Sequence, residues 1–211
     1  DGLFRQTDWG GQAIVGDSII ATQDTYDQRI YAIGKGPSQV TLEAPLAGID
    51  LGSNVVLRGT IMDISPGTED AAIKLRFPDG VPAVSDDSMS EWMKFVYKQF
   101  PQPMITGVTV KLEVVSDPNG NYYDIGTSTT DSTGFYSVTW EPSIPGEYTI
   151  LASFAGTEGY YSSHKMTSIV VDEAPAPTAP IEPEEPVDIV EPIDVTEPTV
   201  ETPFLTTEIA I

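Results

Sequence analysis

Cysteine is absent from the 211 residues. Disulfide staples and thiolate chemistry are therefore excluded, while the compartment stays open, because secreted proteins without disulfides are common in prokaryotes. Histidine occurs once, as His164. A zinc site could add only carboxylates to it, a poor donor set. A Ser–His–Asp arrangement would have to use it within YYSSHK, and no G-x-S-x-G elbow accompanies that stretch. His164 reads as an exposed residue near a strand start. Basic residues are scarce: 10 Lys and Arg stand against 32 Asp and Glu, for a formal charge of -22. Neutralising phosphates takes clusters of Lys and Arg, so the balance argues against nucleic acid and against docking on an anionic membrane surface. No apolar run approaches the ~20 residues of a spanning helix. A phosphate loop is missing, and no Asn-x-Ser/Thr sequon follows Asn54, Asn119 or Asn121.

What is present divides by composition into three regions. In residues 1–36, AIVGDSIIAT (Ala13–Thr22) is strand-like with Gly16-Asp17 as turn or bulge. DTYDQ is a polar turn, and Arg29–Gly34 is a second strand. Two strands alone are marginal in water, so this piece needs a host. In residues 37–172, β-branched stretches recur between Gly, Pro, Asn and Asp turns. They predict strands at Gln39–Ala44, Asn54–Asp63, Ala72–Arg76, Thr109–Ser116, Tyr123–Thr130, Gly134–Trp140, Gly146–Phe154 and Thr167–Val171. That spacing predicts an all-β antiparallel sandwich. Alternation puts Tyr136, Val138 and Trp140 on one face, and Tyr148, Ile150, Ala152 and Phe154 on another, with Trp140 and Phe154 near the core.

One segment breaks the β rule. Ser88–Phe100 places Met89, Trp92, Met93, Val96 and Phe100 at helical spacing, with Ser88 and Glu91 as a capping box and Pro101 as the stop. The Trp92/Met93/Val96 stripe is expected to lie on the sandwich. The sharper alternative is an exposed stripe that binds a partner. Residues 173–206 then bring Pro every few positions, many acids and no Lys or Arg. Such a segment cannot bury enough apolar surface to fold and reads as a stiff, solvated linker. The closing residues 207–211 turn apolar, as a frayed end or as the first turn of a membrane helix that continues beyond. The chain opens on Asp1 without a leader, which is expected of a processed form or a fragment.

These residues carry a resemblance. AIVGDSIIATQDTYDQRIYAIGKGPS resembles the closing blade of a pyrroloquinoline-quinone-type β-propeller, whose repeats run as apolar strand, Gly-Asp turn, second strand and a strand like Arg29–Gly34. LGSNVVLRGTIMDISPGT (Leu51–Thr68) and TDSTGFYSVTWEPSIPGEYTILASFAG (Thr130–Gly156) are similar to the Ig-like domain that follows such a propeller in archaeal cell-surface proteins. There a Pro- and acid-rich linker and a C-terminal membrane anchor come next. The resemblance implies a C-terminal fragment of such a protein. It would be an extracellular, surface-anchored, non-catalytic spacer or stalk, whose partner is the propeller upstream in the same parent chain. It would present that propeller and mediate adhesion to a surface protein or glycan. A propeller needs about four to eight blades to close. Residues 1–36 supply a remnant of one, so the propeller's quinone or substrate chemistry does not carry over.

Candidate sites are few, and no cofactor is expected. DPNGNYYD places oxygen side chains at Asp117, Asn119, Asn121 and Asp124, the first three at alternate positions as in a calcium loop. The EF-hand pattern then fails at Tyr122, where Gly is required, and at Ser128, where Glu is required. The plain reading is a Pro-Asn-Gly hairpin turn. TDSTG (Thr130–Gly134) is also a turn. Glu43, Glu69, Asp70, Asp79, Asp86 and Asp87 read as solvated surface rather than paired carboxylates of a hydrolase. Tyr160 and Tyr161, in GYYSS, either bind a partner or sugar or close a sandwich edge. They give the alternative function, a carbohydrate- or protein-binding module using loops at the sandwich ends.

Overall fold

The computed structural model describes residues 13–24 and 28–174. The expectations for residues 175–211, the greater part of the linker and the apolar end, lie outside the described residues, as does the middle of the DTYDQ turn. No helix among the described residues is long and apolar enough to cross a membrane.

Among the described residues the fold is predominantly strand, with two short helices, so it is mixed rather than all-β. It opens with a three-stranded meander of β1 (Ile14–Gly16), β2 (Ile19–Asp24) and β3 (Arg29–Ile33). Asp17 and Ser18 join β1 to β2 with φ of 51° and 63°. That is the paired left-handed conformation which matches the twist of a two-residue hairpin. The turn therefore falls one residue later than the Gly16-Asp17 pair suggests.

Two further sheets share one core. The first has β6 (Val55–Asp63) between β10 (Phe135–Trp140) and β4 (Ser38–Val40), with the short β7 (Val81–Pro82) also on β6. The second runs β5 (Ile49–Asp50), β12 (Ser163–Asp172), β11 (Gly146–Phe154), β8 (Thr109–Ser116), β9 (Tyr123–Thr129) and is curled and unclosed. Its pairs are antiparallel except β5, which runs parallel to β12. Alternation makes the core. Val55, Leu57 and Ile61 of β6 bury against Val110, Leu112 and Val114 of β8 and against Tyr148, Ile150, Ala152 and Phe154 of β11. Trp140 is only half-buried and stacks edge-on against Tyr148 at 5.2 Å. Gly59 is required by a close approach: a Cβ there would sit 2.0 Å from the Thr41 carbonyl oxygen. That carbonyl also accepts the Tyr136 hydroxyl at 2.6 Å. The two sheets are stitched at one edge, where the Ser38 hydroxyl donates to the Tyr161 carbonyl and meets the Ser163 hydroxyl, both at 2.8 Å.

The connection from β6 to β8 carries the helices. Ala72–Arg76, expected as strand, is instead the helix α1 (Ala71–Arg76). Asp70 caps it by accepting from the Ala72 N–H, and Ala, Lys, Leu and Arg all favour helix over strand. The expected helix is present as α2 (Asp86–Lys98), with its cap at Ser85 rather than Ser88. The Ser88 hydroxyl instead accepts from the Thr106 N–H, and Glu91 pairs with Lys94, so the capping box is not made. The helix ends on Gln99 in the left-handed conformation, two residues before Pro101. Trp92 and Val96 bury in a second apolar cluster with Ile73, Val81 and Val84. Phe77 and Phe95 meet Trp92 at 5.7 and 5.4 Å. Arg76 donates to the Phe95 and Val96 carbonyls, which binds α1 to the C-terminal turn of α2.

A cavity beneath the N-terminal sheet as candidate functional site

The meander is tied to the body by charge. Lys98, at the end of α2, pairs with Asp24 at 2.5 Å and sits 4.1 Å above the Tyr31 ring, while Arg29 pairs with Asp70 at 3.7 Å. Between β3 and the body these contacts leave a cavity of about 600 Å³. That volume lies within the ~300–1,000 Å³ usual for small-molecule sites.

The walls follow from element geometry. On α2, Met89, Met93 and Tyr97 recur every fourth residue and form the stripe that faces the cavity, beside the Trp92/Val96 stripe buried in the body. β3 supplies Tyr31 and Ile33 opposite, and Gly159 and Tyr160 close one end. The floor holds Asp63, the last residue of β6. It is in phase with buried Val55, Leu57 and Ile61 and is itself only 5% exposed. Its Oδ1 accepts from the Ser65 N–H at 2.7 Å, and its Oδ2 from the Tyr160 hydroxyl at 3.3 Å. Burial first and the Asp63 charge second push Tyr97 up to about 12, and the same causes raise Tyr160 further. Both therefore remain neutral hydroxyls near pH 7.

The two tyrosines singled out from the sequence separate. Tyr160 is buried and points its hydroxyl at Asp63, whereas Tyr161 is 54% exposed, with Lys35 Nζ 5.4 Å from its ring centre. The oxygen-rich hairpin also divides. Asp117 is buried, and its carboxylate accepts from the Asn119 N–H, the Asn121 N–H and Asn121 Nδ2 at 2.7–3.0 Å. Those bonds, the Asn121 backbone first, hold its carboxyl below the usual range. Asp124 is exposed and pairs with Lys111 at 2.9 Å, alongside Glu113, which Tyr122 also contacts through its hydroxyl. Asn119 and Asn121 are exposed. Asp117 thus ties its own turn, and Asp124 serves an ion pair on the hairpin. Among the described residues no group of three or more His, Asp or Glu side chains is placed to hold a metal ion. His164 is exposed at the second position of β12, and Glu43, Glu69, Asp70, Asp79, Asp86 and Asp87 are exposed as well. Asp86 accepts from the Glu158 and Gly159 N–H groups at 3.0 Å, which lowers its pKa and tethers the loop before Tyr160.

Asp63 and Tyr97 carry no mark as site residues in the sequence reading, and Met93 enters it only within the Trp92/Met93/Val96 stripe, which divides here: Trp92 and Val96 are buried in the second cluster while Met93 lines the cavity. Asp63 did carry a signal, because it is a carboxylate on the buried phase of an apolar strand. No protein-family model matches the chain, and a search of curated proteins finds no match.

Proposed function

We propose that the chain is a non-catalytic, immunoglobulin-like module of a cell-surface protein. In this reading a β-propeller lies ahead of it in the parent chain, and a proline- and acid-rich linker with a membrane anchor lies behind. Strand order supports the immunoglobulin-like part. The arrangement β4-β6-β10 facing β9-β8-β11-β12, with the short β5 parallel to β12, follows the two-sheet pattern of such domains. Tyr148 adds to it. Near the start of β11, its hydroxyl donates to the Ile144 carbonyl at 2.7 Å and accepts the Ile144 N–H at 3.1 Å, the arrangement known as a tyrosine corner. α1 and α2 are an insertion between the second and third strands of that pattern.

The observation that carries the modular role is the outer face of the meander. Register places Ile14, Ile19, Ala32 and Ile30 on the side away from Thr22 and Asp24, and Ile14 and Ile30 are 72% and 77% exposed. Contiguous exposed apolar surface marks an interface. A preceding blade stacked on this sheet would cover it, as blades cover one another in a propeller. The test is amide exchange over residues 14–33, in this chain and in one extended by its upstream coding sequence. Much slower exchange in the longer chain is expected, and equal exchange would sink the reading. Release of the domain from intact cells by added protease tests the location. Protection until lysis would count against the surface assignment.

A further inference from the structure

We propose that the cavity beneath the N-terminal sheet binds a small organic ammonium compound with an apolar body. The proposal does not depend on the surface-module reading. It rests on a mismatch of charge. Both basic side chains among the described residues of the cavity wall already have acids: Lys98 pairs with Asp24 and Arg29 with Asp70. Asp63 is different. It is more than nine-tenths buried and lines the cavity, and among the described residues no cationic nitrogen lies within 4.0 Å of its carboxylate. A carboxylate offers about four acceptor sites, and the Ser65 N–H and the Tyr160 hydroxyl fill two of them. A buried charge ordinarily has a counter-charge or pays heavily in desolvation. An ammonium group seated beside Asp63 supplies one and fills the remaining acceptor sites.

The surroundings fit the rest of such a ligand. Met89, Met93 and Ile33 offer apolar contact, and Tyr97 and Tyr160 offer neutral aromatic rings, favourable to a cation near their faces. The chain's charge of -22 attracts cations and repels anions.

The test is an amide-shift titration of the full chain at pH 7 with 2-phenylethylammonium, its neutral counterpart 2-phenylethanol and the anion 3-phenylpropanoate. The ammonium is expected to shift the amides of Asp63, Gly67, Met93 and Gly159. The alcohol should bind about tenfold more weakly or worse, and the anion not at all, because a charge-assisted hydrogen bond in a buried site is worth at least that factor. Asp63→Asn should reduce the ammonium affinity by about tenfold or more. Ile33→Trp fills the cavity from the exposed strand and leaves Asp63 intact. It should abolish binding even if the Asp63 variant fails to fold. The proposal is overturned if the alcohol or the anion binds as tightly, or if either variant binds like the parent. It is equally overturned if no amide shifts up to about 20 mM ligand, an affinity below any useful site.

Discussion

The N-terminal meander and the paired sheets are written in the same residues and treated in opposite ways. Both are rich in β-branched residues. In the paired sheets Leu57, Ile61 and Ile150 are sealed from solvent, while in the meander Ile14 and Ile30 stand largely in it. The paired sheets are held by apolar burial. The meander is held to its neighbour by Lys98–Asp24, by Lys98 over Tyr31, by Arg29–Asp70 and by little shared core. Pattern sets which residues can share a face, but only a second layer determines whether that face is buried. The paired sheets have that layer; the outer face of the meander has none among the described residues.

The sharpest way to break this comparison is to truncate one apolar residue in each region. Leu57→Ala should destabilise the protein by about 3–5 kcal/mol in urea unfolding, as expected for a sealed leucine that leaves a cavity. Ile30→Ala should change it by less than ~0.5 kcal/mol. If the two losses are similar, the meander is part of the same cooperative core and the distinction drawn above is wrong.

Whether α2 belongs with the sheets or with the meander is a separate question, and Trp92 addresses it. Trp92→Ala should cost about 3–4 kcal/mol, because the indole fills the second cluster against Phe77 and Phe95. Among the described residues the buried indole N–H finds no hydrogen-bond partner. Trp92→Phe removes that unpaired donor along with some volume, and the two effects offset, so a loss of only ~1 kcal/mol is expected. Unfolding of Trp92→Ala in a single transition with the sheets would assign α2 to them. A separate early transition would assign it to the meander.

Much of the architecture was legible, for identifiable reasons. β8 and β11 span the residues that alternation and turn signals predict, because each is buried on one face. α2 was legible from its fourfold spacing, although Ser85, which makes no side-chain cap bond, was passed over for Ser88. AAIKLR was misread as strand. Ile73 alone is buried in it, so no alternation existed to read, and the capping Asp70 with a run of helix formers was the better guide. The candidate site was legible only in fragments. GYYSS drew attention to Tyr160, but the difference between Tyr160 and Tyr161 depends on one of them reaching Asp63, which lies 97 positions away. The cavity joins residues of β3, β6, α2 and the Gly159–Tyr160 loop. No local pattern encodes that meeting.

If the meander is held mainly by charge, Lys98→Met should loosen it selectively. The substitution keeps the aliphatic length and leaves Asp24, only 5% exposed at its side chain, without its ammonium partner. Loss of that ammonium is costly for a buried carboxylate, but here the strand can open locally and rehydrate it. Exchange over residues 19–33 should therefore accelerate by the equivalent of about 1–2 kcal/mol, with the urea midpoint of the paired sheets nearly unmoved. A global loss of the same size would mean that the meander and the body unfold together.

The smallest effect is expected at the β8–β9 turn, inside the stable region, where a polar group rather than an apolar one does the holding. Asp117 accepts three hydrogen bonds from Asn119 and Asn121, and its carboxyl titrates below the 3.8 of the free group. A carboxyl whose folded pKa is lowered adds stability above its unfolded pKa. That contribution disappears as pH falls through the folded value, because both states are then protonated. Asp117→Asn keeps the shape and removes the charge. The melting temperature of the variant should lie slightly below that of the parent from pH 7 to about pH 5, and the gap should close toward pH 2. A gap that persists unchanged at pH 2 would show that Asp117 acts through shape and neutral hydrogen bonds alone. A gap that widens on acidification would mean that the carboxyl is raised in the fold, contrary to the hydrogen bonds it accepts.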